Sequence, residues 1–145
     1  MKIIIRMGNG IGNQLFSYAA AYSIAKKKDA ELLIDDESGF YKRHKYELNN
    51  FKISSKIAEN KYKFKGHLGR FKRKFYKRFN FLNKKLKIIE ELKDKKKFTK
   101  YDPSIFDIKT EKNIYLEGYF QTEKYFKDIK NEILNEFLFK NEIEK

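Results

Sequence analysis

The apolar positions of this chain recur with two different periods, and these periods divide it into strands and helices. Short apolar runs bounded by turn residues predict strands at 2–6, 30–34 and 114–119. Apolar residues spaced three or four positions apart predict helices at 14–28 and 123–139. The strand, helix and strand at the start are typical of a βαβ unit, whose crossover is right-handed. The chain therefore predicts an α/β fold with a Rossmann-like parallel sheet and flanking helices.

A further helical pattern in the middle of the chain carries an unusual charge. Lysine and arginine fill the positions between its apolar residues, as in an amphipathic helix. Residues 60–89 hold twelve basic residues and no acidic one, whereas the rest of the chain holds 22 basic and 20 acidic residues. The formal net charge of +14 is therefore concentrated in one segment, which we interpret as a basic amphipathic helical insertion at about 60–95. Its apolar positions are Phe64, Leu68, Phe71, Phe75, Phe79, Leu82, Leu86 and Ile89.

Three interpretations of this basic segment stay open. Clustered cations with aromatic residues are typical of nucleic-acid binding, but aromatic rings on one apolar stripe are expected to be buried and unable to stack on bases. An amphipathic helix with cationic flanks also fits the surface of an anionic membrane. The third interpretation is an ordinary surface helix. The alternative to an enzyme is therefore a non-enzymatic basic module that binds a membrane or nucleic acid.

The composition removes several classes of site. The absence of cysteine excludes disulfides and thiolate metal sites. The two histidines, His44 and His67, show no metal-ligand spacing, and we expect no metal. No run of about 18 apolar residues is present, and the first residues are too short for a signal peptide. We therefore expect a cytoplasmic protein, at the inner face of the membrane if the basic segment binds lipid.

Glycines separate the first predicted strand from the first predicted helix. Gly8, Gly10 and Gly12 permit a tight turn and the close approach of a ligand to the backbone. The first turn of the helix behind them has free N–H groups and a partial positive charge. Asn13 and Gln14 add side-chain amides that both donate and accept hydrogen bonds. The segment predicts an anion site, such as a phosphate site, and its structural alternative is a tight turn without a ligand.

The glycine loop follows the dinucleotide-binding pattern G-x-G-x-x-G only in part. Gly8 and Gly10 fit the pattern, but Asn13 occupies its third glycine position. Asp35 or Asp36, after the second predicted strand, would supply the acid that binds a ribose, so an NAD site stays open. The two aspartates are otherwise interpreted as part of a solvated loop. A P-loop is excluded because no Gly-Lys-Ser/Thr follows.

A second candidate site follows the strand predicted at 114–119. Ligands of open α/β sheets collect outside the carboxyl ends of the strands, where Tyr119, Phe120 and Gln121 follow Gly118. We expect Gln121 to face the same cleft as the glycine loop. Tyr119 offers a ring that can stack on a sugar or base, whereas Phe120 is expected to be a core residue.

Taken in order, four segments resemble the bacterial alpha-1,2-fucosyltransferases of glycosyltransferase family 11. The first resembles the family's opening G-G-L-G-N-Q-x-F-x-Y-A segment, and the fourth its G-Y-x-Q-S-x-K-Y-F motif, with Thr122 in place of serine. Asn9 replaces a glycine of the family, which asparagine tolerates because it adopts positive φ angles. The four segments are GNGIGNQLFSYAAAYSIA (8–25), LLIDDESGFYKRHKYELNNFKI (32–53), FTKYDPSIF (98–106) and NIYLEGYFQTEKYF (113–126).

This resemblance implies transfer of L-fucose from GDP-fucose to the 2-hydroxyl of a galactose-containing glycan, with inversion and without a cofactor or metal. It implies no nucleic acid as partner. Family members are about twice as long, and their H-x-R-R-G-D-like motif is not matched. We therefore expect residues 1–145 to be the first half of a GT-B-like enzyme, without its nucleotide-binding domain and inactive alone. The implied donor-binding residues are Gly10, Gly12, Asn13 and Gln14, and those lining the sugar or acceptor cleft are Tyr119 and Gln121; no catalytic residue is identified.

Overall fold

The computed structural model describes residues 1–92 and 100–141 and shows a parallel β-sheet with helices on both faces. In these ranges the sheet contains five strands, all parallel, which confirms the predicted α/β class and its Rossmann-like sheet. The strands are β1 (Lys2–Gly8), β2 (Glu31–Gly39), β3 (Lys56–Ile57), β4 (Leu86–Glu90) and β5 (Asn113–Glu117), in the order β3-β2-β1-β5-β4. The helices are α1 (Ile11–Lys27), α2 (Gly66–Arg78) and α3 (Lys130–Glu136).

The core lies in two layers because the side chains of β1 alternate between the faces of the sheet. Ile3 and Ile5 pack in the layer that contains α1, where Tyr18 is fully buried. Ile4 points to the other face and packs with Phe64 and Tyr115 in the layer beneath α2. The sheet therefore lies between α1 and α2, with one core layer on each of its faces. The carboxyl ends of the strands stay at one edge of the molecule, where the candidate residues were predicted.

Helix α1 begins at Ile11, three residues before its predicted start. Gly10 is extended, and its carbonyl accepts the backbone N–H of Gln14 at 3.2 Å, which starts the helical ladder. Three consecutive alanines, 19–21, are fully buried and allow the helix to pack closely on the sheet. The helix ends with Lys26 and Lys27 in its last turn, where cations are favourable.

The predicted basic helix is wrong over its second half. Helix α2 covers only Gly66–Arg78, and the apolar positions at 86 and 89 belong to strand β4, which pairs with β5. Two asparagines end the helical region. The side chain of Asn83 accepts the N–H groups of Lys85 and Leu86, and the side chain of Asn80 bonds both backbone groups of Ile88. The basic segment therefore includes an edge strand of the sheet. Its predicted end, 93–95, lies outside the described residues.

Three other elements differ from their predicted limits. Strand β2 continues past its predicted end at residue 34, and β3 lies between the predicted elements, where no strand was predicted. The last predicted helix is interrupted, because Phe126 and Ile129 have non-helical backbone angles. Phe126 separates two 3-10 turns from each other, and Ile129 ends the second turn directly before α3. Within the described ranges, each helix is too short or too polar to span a membrane.

Candidate functional site

The sheet changes its direction of growth between β1 and β5. After β1 the chain adds β2 and β3 on one side, whereas β4 and β5 lie on the other side. In open α/β sheets, ligands bind outside the carboxyl ends of the strands at such a switch point. The glycine loop follows β1, and the segment 118–121 follows β5. Both sequence-predicted segments therefore lie at this switch point.

Close backbone packing fixes the start of the glycine loop. A Cβ atom on Gly39 would lie 1.8 Å from the carbonyl oxygen of Met7, and one on Gly8 would lie 2.8 Å from the carbonyl oxygen of Gly39. The next residue, Asn9, has a φ of +61°, as predicted for an asparagine that replaces glycine. The loop therefore leaves β1 in a single direction, held against the end of β2.

The two remaining loop glycines face open space. Among the described residues, a Cβ atom on Gly12 would meet nothing within 4 Å, and one on Gly10 would meet only the Cε1 atom of His44 at 3.9 Å. Packing against residues 1–92 and 100–141 therefore does not require a glycine at either position. Their small size therefore leaves room at the surface of the loop, which suits the predicted approach of a ligand to the backbone.

Gln14, predicted to bind the donor, is fully buried in the wall behind the loop. Its Nε2 atom donates to the carbonyl oxygens of Asn9 and Lys45, both at 2.9 Å, and its Oε1 atom accepts the N–H of Glu47 at 3.0 Å. Because both ends of the amide are engaged within the protein, we assign Gln14 a positioning role. It fastens the glycine loop to the segment that follows β2.

Replacement of Gln14 by leucine is expected to destabilise the protein by about 2–3 kcal/mol, since three hydrogen bonds are lost and their backbone partners stay unpaired. Urea unfolding followed by circular dichroism measures this change. The matched control is Gln121→Leu, which removes an exposed amide and should change stability little. Equal stability of the Gln14→Leu variant and the parent chain would contradict the positioning role.

Asn13 and Gln121 meet across the switch point, as the sequence predicted for one shared cleft. The Nε2 atom of Gln121 donates to the Oδ1 atom of Asn13 at 2.6 Å, although the two residues are 108 positions apart. Tyr119, also predicted to line the cleft, is 39% exposed, and its backbone N–H donates to the carboxylate of Glu91 at 2.8 Å. Phe120 is fully buried, as predicted. The fold therefore brings three of the six predicted site residues together around the end of β5.

The end of β5 forms the floor of the crevice. The Ser17 hydroxyl of α1 donates to the carbonyl oxygen of Gly118 at 3.0 Å, and a Cβ on Gly118 would lie 2.5 Å from that of Glu91. Arg6 reaches this floor from β1, and its buried Nε–H has no hydrogen-bond acceptor among the described residues. A cavity of about 120 Å³ lies there, lined by Arg6, Gly8, Asn9, Ser17, Glu90, Glu117, Gly118 and Tyr119.

Glu117, at the end of β5, is buried and held by two cations of α2. Its carboxylate accepts a hydrogen bond from Arg73 at 2.5 Å and lies 3.2 Å from the Nζ atom of Lys77. Burial lowers the pKa of Arg73, but the hydrogen bond and charge of Glu117 outweigh burial and raise it above its ordinary value. The pair fastens α2 to the crevice, and we assign Glu117 no role as a general base.

A larger basic pocket opens on the other side of Asn9. Its volume is about 890 Å³. Tyr41 is 56% exposed in it, and the guanidinium of Arg70 lies 5.2 Å from the centre of the Tyr41 ring. The Nδ1 atom of His67 lies 3.4 Å from the guanidinium of the same arginine. The pocket therefore offers both positive charge and an aromatic surface. Its walls are formed by Asn9, Gly39, Phe40, Tyr41, Lys42, Arg43, His44, His67 and Arg70.

The basic pocket was not predicted from the sequence. The signal that was available is the run of aromatic and basic residues at 40–45, directly after the carboxyl end of β2. The other wall comes from α2, more than twenty positions later in the chain. Because nothing local links the two segments, their meeting depends on the packing of α2 beside the end of β2.

The two aspartates after the second predicted strand are not part of a solvated loop. Asp35 is fully buried in β2, and its carboxylate accepts the hydroxyl of Tyr115 at 2.6 Å and two backbone N–H groups. Asp36 forms an ion pair of 2.6 Å with Lys63, which also contacts Glu37. Because both carboxylates are engaged within the protein, the NAD interpretation loses the acid that would bind a ribose.

Within residues 1–92 and 100–141, no group of three or more His, Asp or Glu side chains is placed to hold a metal ion. Comparisons of the chain with protein-family models, with curated proteins and with solved structures found no significant match. Its function is therefore inferred from the geometry of the carboxyl edge and from the motifs that meet there.

Proposed function

We propose that this chain provides one wall of the active-site cleft of a glycosyltransferase that transfers L-fucose from GDP-fucose to the 2-hydroxyl of a galactoside. In this proposal the α/β domain is the first half of a GT-B-like enzyme. The proposal combines the resemblance of the four segments with the geometry at the switch point. Asn13, Tyr119 and Gln121 face the sugar, while Gly10 and Gly12 admit the ligand to the backbone of the loop.

The observation that carries the proposal is the contact between Asn13 and Gln121. These residues belong to the first and the last of the four segments, and a ligand site at this edge requires that they come together. Their hydrogen bond uses one polar atom of each amide, so each side chain has a second polar atom for a sugar hydroxyl or a phosphate oxygen. The amide pair is partly exposed and lies beside Tyr119, whose ring can stack on a sugar.

Positive charge near the glycine loop suits a sugar nucleotide. In the transfer, the oxygen of the acceptor hydroxyl forms a bond to C1 of fucose and releases its proton to water. The bond from C1 to the phosphate oxygen breaks, and GDP leaves with the electron pair. Donors placed where this negative charge develops lower the barrier. The basic pocket contributes Arg43 and Arg70 near the loop, and Arg6 lines the crevice. These cations therefore suit the diphosphate better than an uncharged ligand.

We expect weak, saturable binding of GDP-fucose to the chain, weakened about tenfold by Asn13→Ala because one hydrogen bond to the ligand is lost. Ligand-observed NMR with GDP-fucose measures the dissociation constant in the range expected for half of a cleft. The matched control is Asn131→Ala, which removes an exposed amide from α3, away from the switch point. This control should bind like the parent chain.

Two results would overturn this proposal. One is the absence of saturable binding of GDP-fucose at any accessible concentration. The other is binding that Asn13→Ala and Gln121→Ala leave unchanged, since both residues are proposed to contact the sugar nucleotide. Binding of NADH with comparable affinity would instead favour a dinucleotide site.

A further inference from the structure

An apolar stripe runs along the solvent side of α2 and into the turn that follows it. Leu68 is 80% exposed, Phe71 69% and Phe75 41%. The expectation that this stripe is buried against the core is therefore wrong. Contiguous exposed apolar side chains of this size mark a surface that binds something. The apolar stripe consists of Leu68, Phe71, Phe75, Phe79, Phe81 and Leu82, all at least 37% exposed.

The inner face of α2 is fixed by other residues, so the apolar stripe cannot turn toward the core. A Cβ atom on Gly69 would lie 2.4 Å from the backbone carbonyl carbon of Phe64, so the helix lies close to the segment before it. The ring of Tyr76 packs edge-on against that of Phe64. Arg73 is buried in its ion pair with Glu117. These contacts hold the opposite face of the helix outward.

Basic side chains border the apolar stripe on both sides. At 3.6 residues per turn, Lys72 lies on one side of the stripe, and Lys74 and Arg78 lie on the other. All three are exposed, as is Lys84 in the following turn. The whole segment 60–89 contains no acidic residue that would repel an anionic surface. The charge therefore complements a negatively charged partner with an apolar layer beneath its surface.

We propose that α2 docks the protein on an anionic membrane surface. The apolar stripe enters the boundary between headgroups and acyl chains, and the bordering cations contact lipid phosphates. This combination is characteristic of helices that lie in the membrane interface. The rings of Phe75, Phe79 and Phe81 pack on one another, with centres 5.2 and 6.2 Å apart. They form a continuous ridge instead of separate platforms in a groove, which favours lipid over single-stranded nucleic acid.

Docking through α2 also orients the basic pocket. His67 and Arg70 belong to the same helix and line that pocket, so its mouth would lie beside the lipid surface. The membrane proposal does not depend on the proposed transferase function, because binding to vesicles requires no substrate.

A single tryptophan reports directly on insertion, because the chain contains none. We compare Phe71→Trp, in the apolar stripe, with Leu134→Trp, at a 54% exposed position of α3. Vesicles of phosphatidylglycerol mixed equally with phosphatidylcholine should shift the emission of the first variant to shorter wavelength and leave that of the second unchanged. No shift at Phe71→Trp, or equal shifts in both variants, would overturn the proposal.

Cosedimentation with the same vesicles tests both parts of the surface. Leu68→Ser should weaken binding about tenfold, since an inserted apolar side chain is lost, whereas Leu134→Ser should not. Lys72→Glu combined with Lys74→Glu should weaken binding and reduce its salt dependence. Circular dichroism checks that each variant is folded, as expected for exposed positions.

Three results, from vesicle cosedimentation, oligonucleotide binding and analytical ultracentrifugation of the same variants, would contradict membrane docking. The first is vesicle binding that Leu68→Ser and the charge-reversed variant leave unchanged. The second is tight binding of a single-stranded oligonucleotide that Leu68→Ser abolishes, without binding to vesicles. The third is a dimer in analytical ultracentrifugation that Leu68→Ser dissociates, which would make a second copy the occupant of the apolar stripe.

Discussion

Replacing Gly39 by alanine is expected to destabilise the protein by more than about 4 kcal/mol, the range in which single substitutions abolish a marginally stable fold. The added Cβ would lie 1.8 Å from the carbonyl oxygen of Met7 and 2.8 Å from its carbonyl carbon. Both are backbone atoms of a buried strand and cannot move aside as a side chain would. Strands β1 and β2 would have to separate where the glycine loop begins.

The matched control is Gly12→Ala, which makes the same chemical change at the other end of the loop. A Cβ there meets nothing within 4 Å in the part of the chain that the structure describes, and the residue lies in the first turn of α1. Alanine should leave stability unchanged or raise it by up to about 1 kcal/mol, because it favours a helix over glycine. Urea unfolding of both variants measures the difference. Comparable stability of the two would show that β1 and β2 do not approach as closely as described.

The first quarter of the chain, from β1 to β2, was predictable because its signals are local. The apolar run of β1, the helical spacing of α1 and the apolar run of β2 each lie within one element and agree with one another. Even the unusual φ of Asn9 follows from its position in a glycine loop. The predicted meeting of the loop with Gln121 required only the rule that parallel strands end at one edge.

The middle of the chain was predicted less well because two signals coincide there. The spacing of Leu86 and Ile89 continues the helical period of α2, although Leu86 and Ile88 also alternate as in a strand. The turn that contains Asn80 and Asn83 ends the helix and allows the strand to begin. It does so through side-chain hydrogen bonds, which are not visible in the pattern of apolar residues. A polar residue, Arg73, marks the inner face of α2, and its partner Glu117 lies 44 positions away.

In the candidate site, too, contacts between residues far apart in the chain could not be predicted from the sequence. Gln14 was predicted to bind a ligand because its amide follows the glycine loop. Two of the three backbone groups that bond this amide belong to Lys45 and Glu47, more than thirty positions later. The residue type correctly indicated hydrogen bonding, but the sequence did not show that the amide of Gln14 points into the protein. The basic pocket was missed for the same reason, since its walls come from two distant segments.

Replacing Asp35 by alanine is expected to destabilise the protein by about 3–5 kcal/mol. The buried donors that hydrogen-bond to its carboxylate would lose their acceptor. Asp35 lies on β2, and the Tyr115 hydroxyl that it accepts comes from β5, so the bond spans the central strand β1. Burial and the charge of Asp35 raise the pKa of Tyr115 well above its ordinary value, which keeps the phenol protonated as a donor. The carboxylate also accepts the N–H groups of Glu37 and Ser38, which shape the end of β2.

A double-mutant cycle with Tyr115→Phe separates this bond from the rest of the change. Alone, Tyr115→Phe should lower the free energy of unfolding by about 1–3 kcal/mol, since it removes the hydrogen bond to a buried carboxylate oxygen. In the Asp35→Ala background the same substitution should cost much less, because the bond is already absent. Asp107→Ala, at an exposed aspartate, is the control and should stay within about 0.5 kcal/mol of the parent chain. Additive effects of Asp35→Ala and Tyr115→Phe in urea unfolding would show that no such bond joins the two strands across β1.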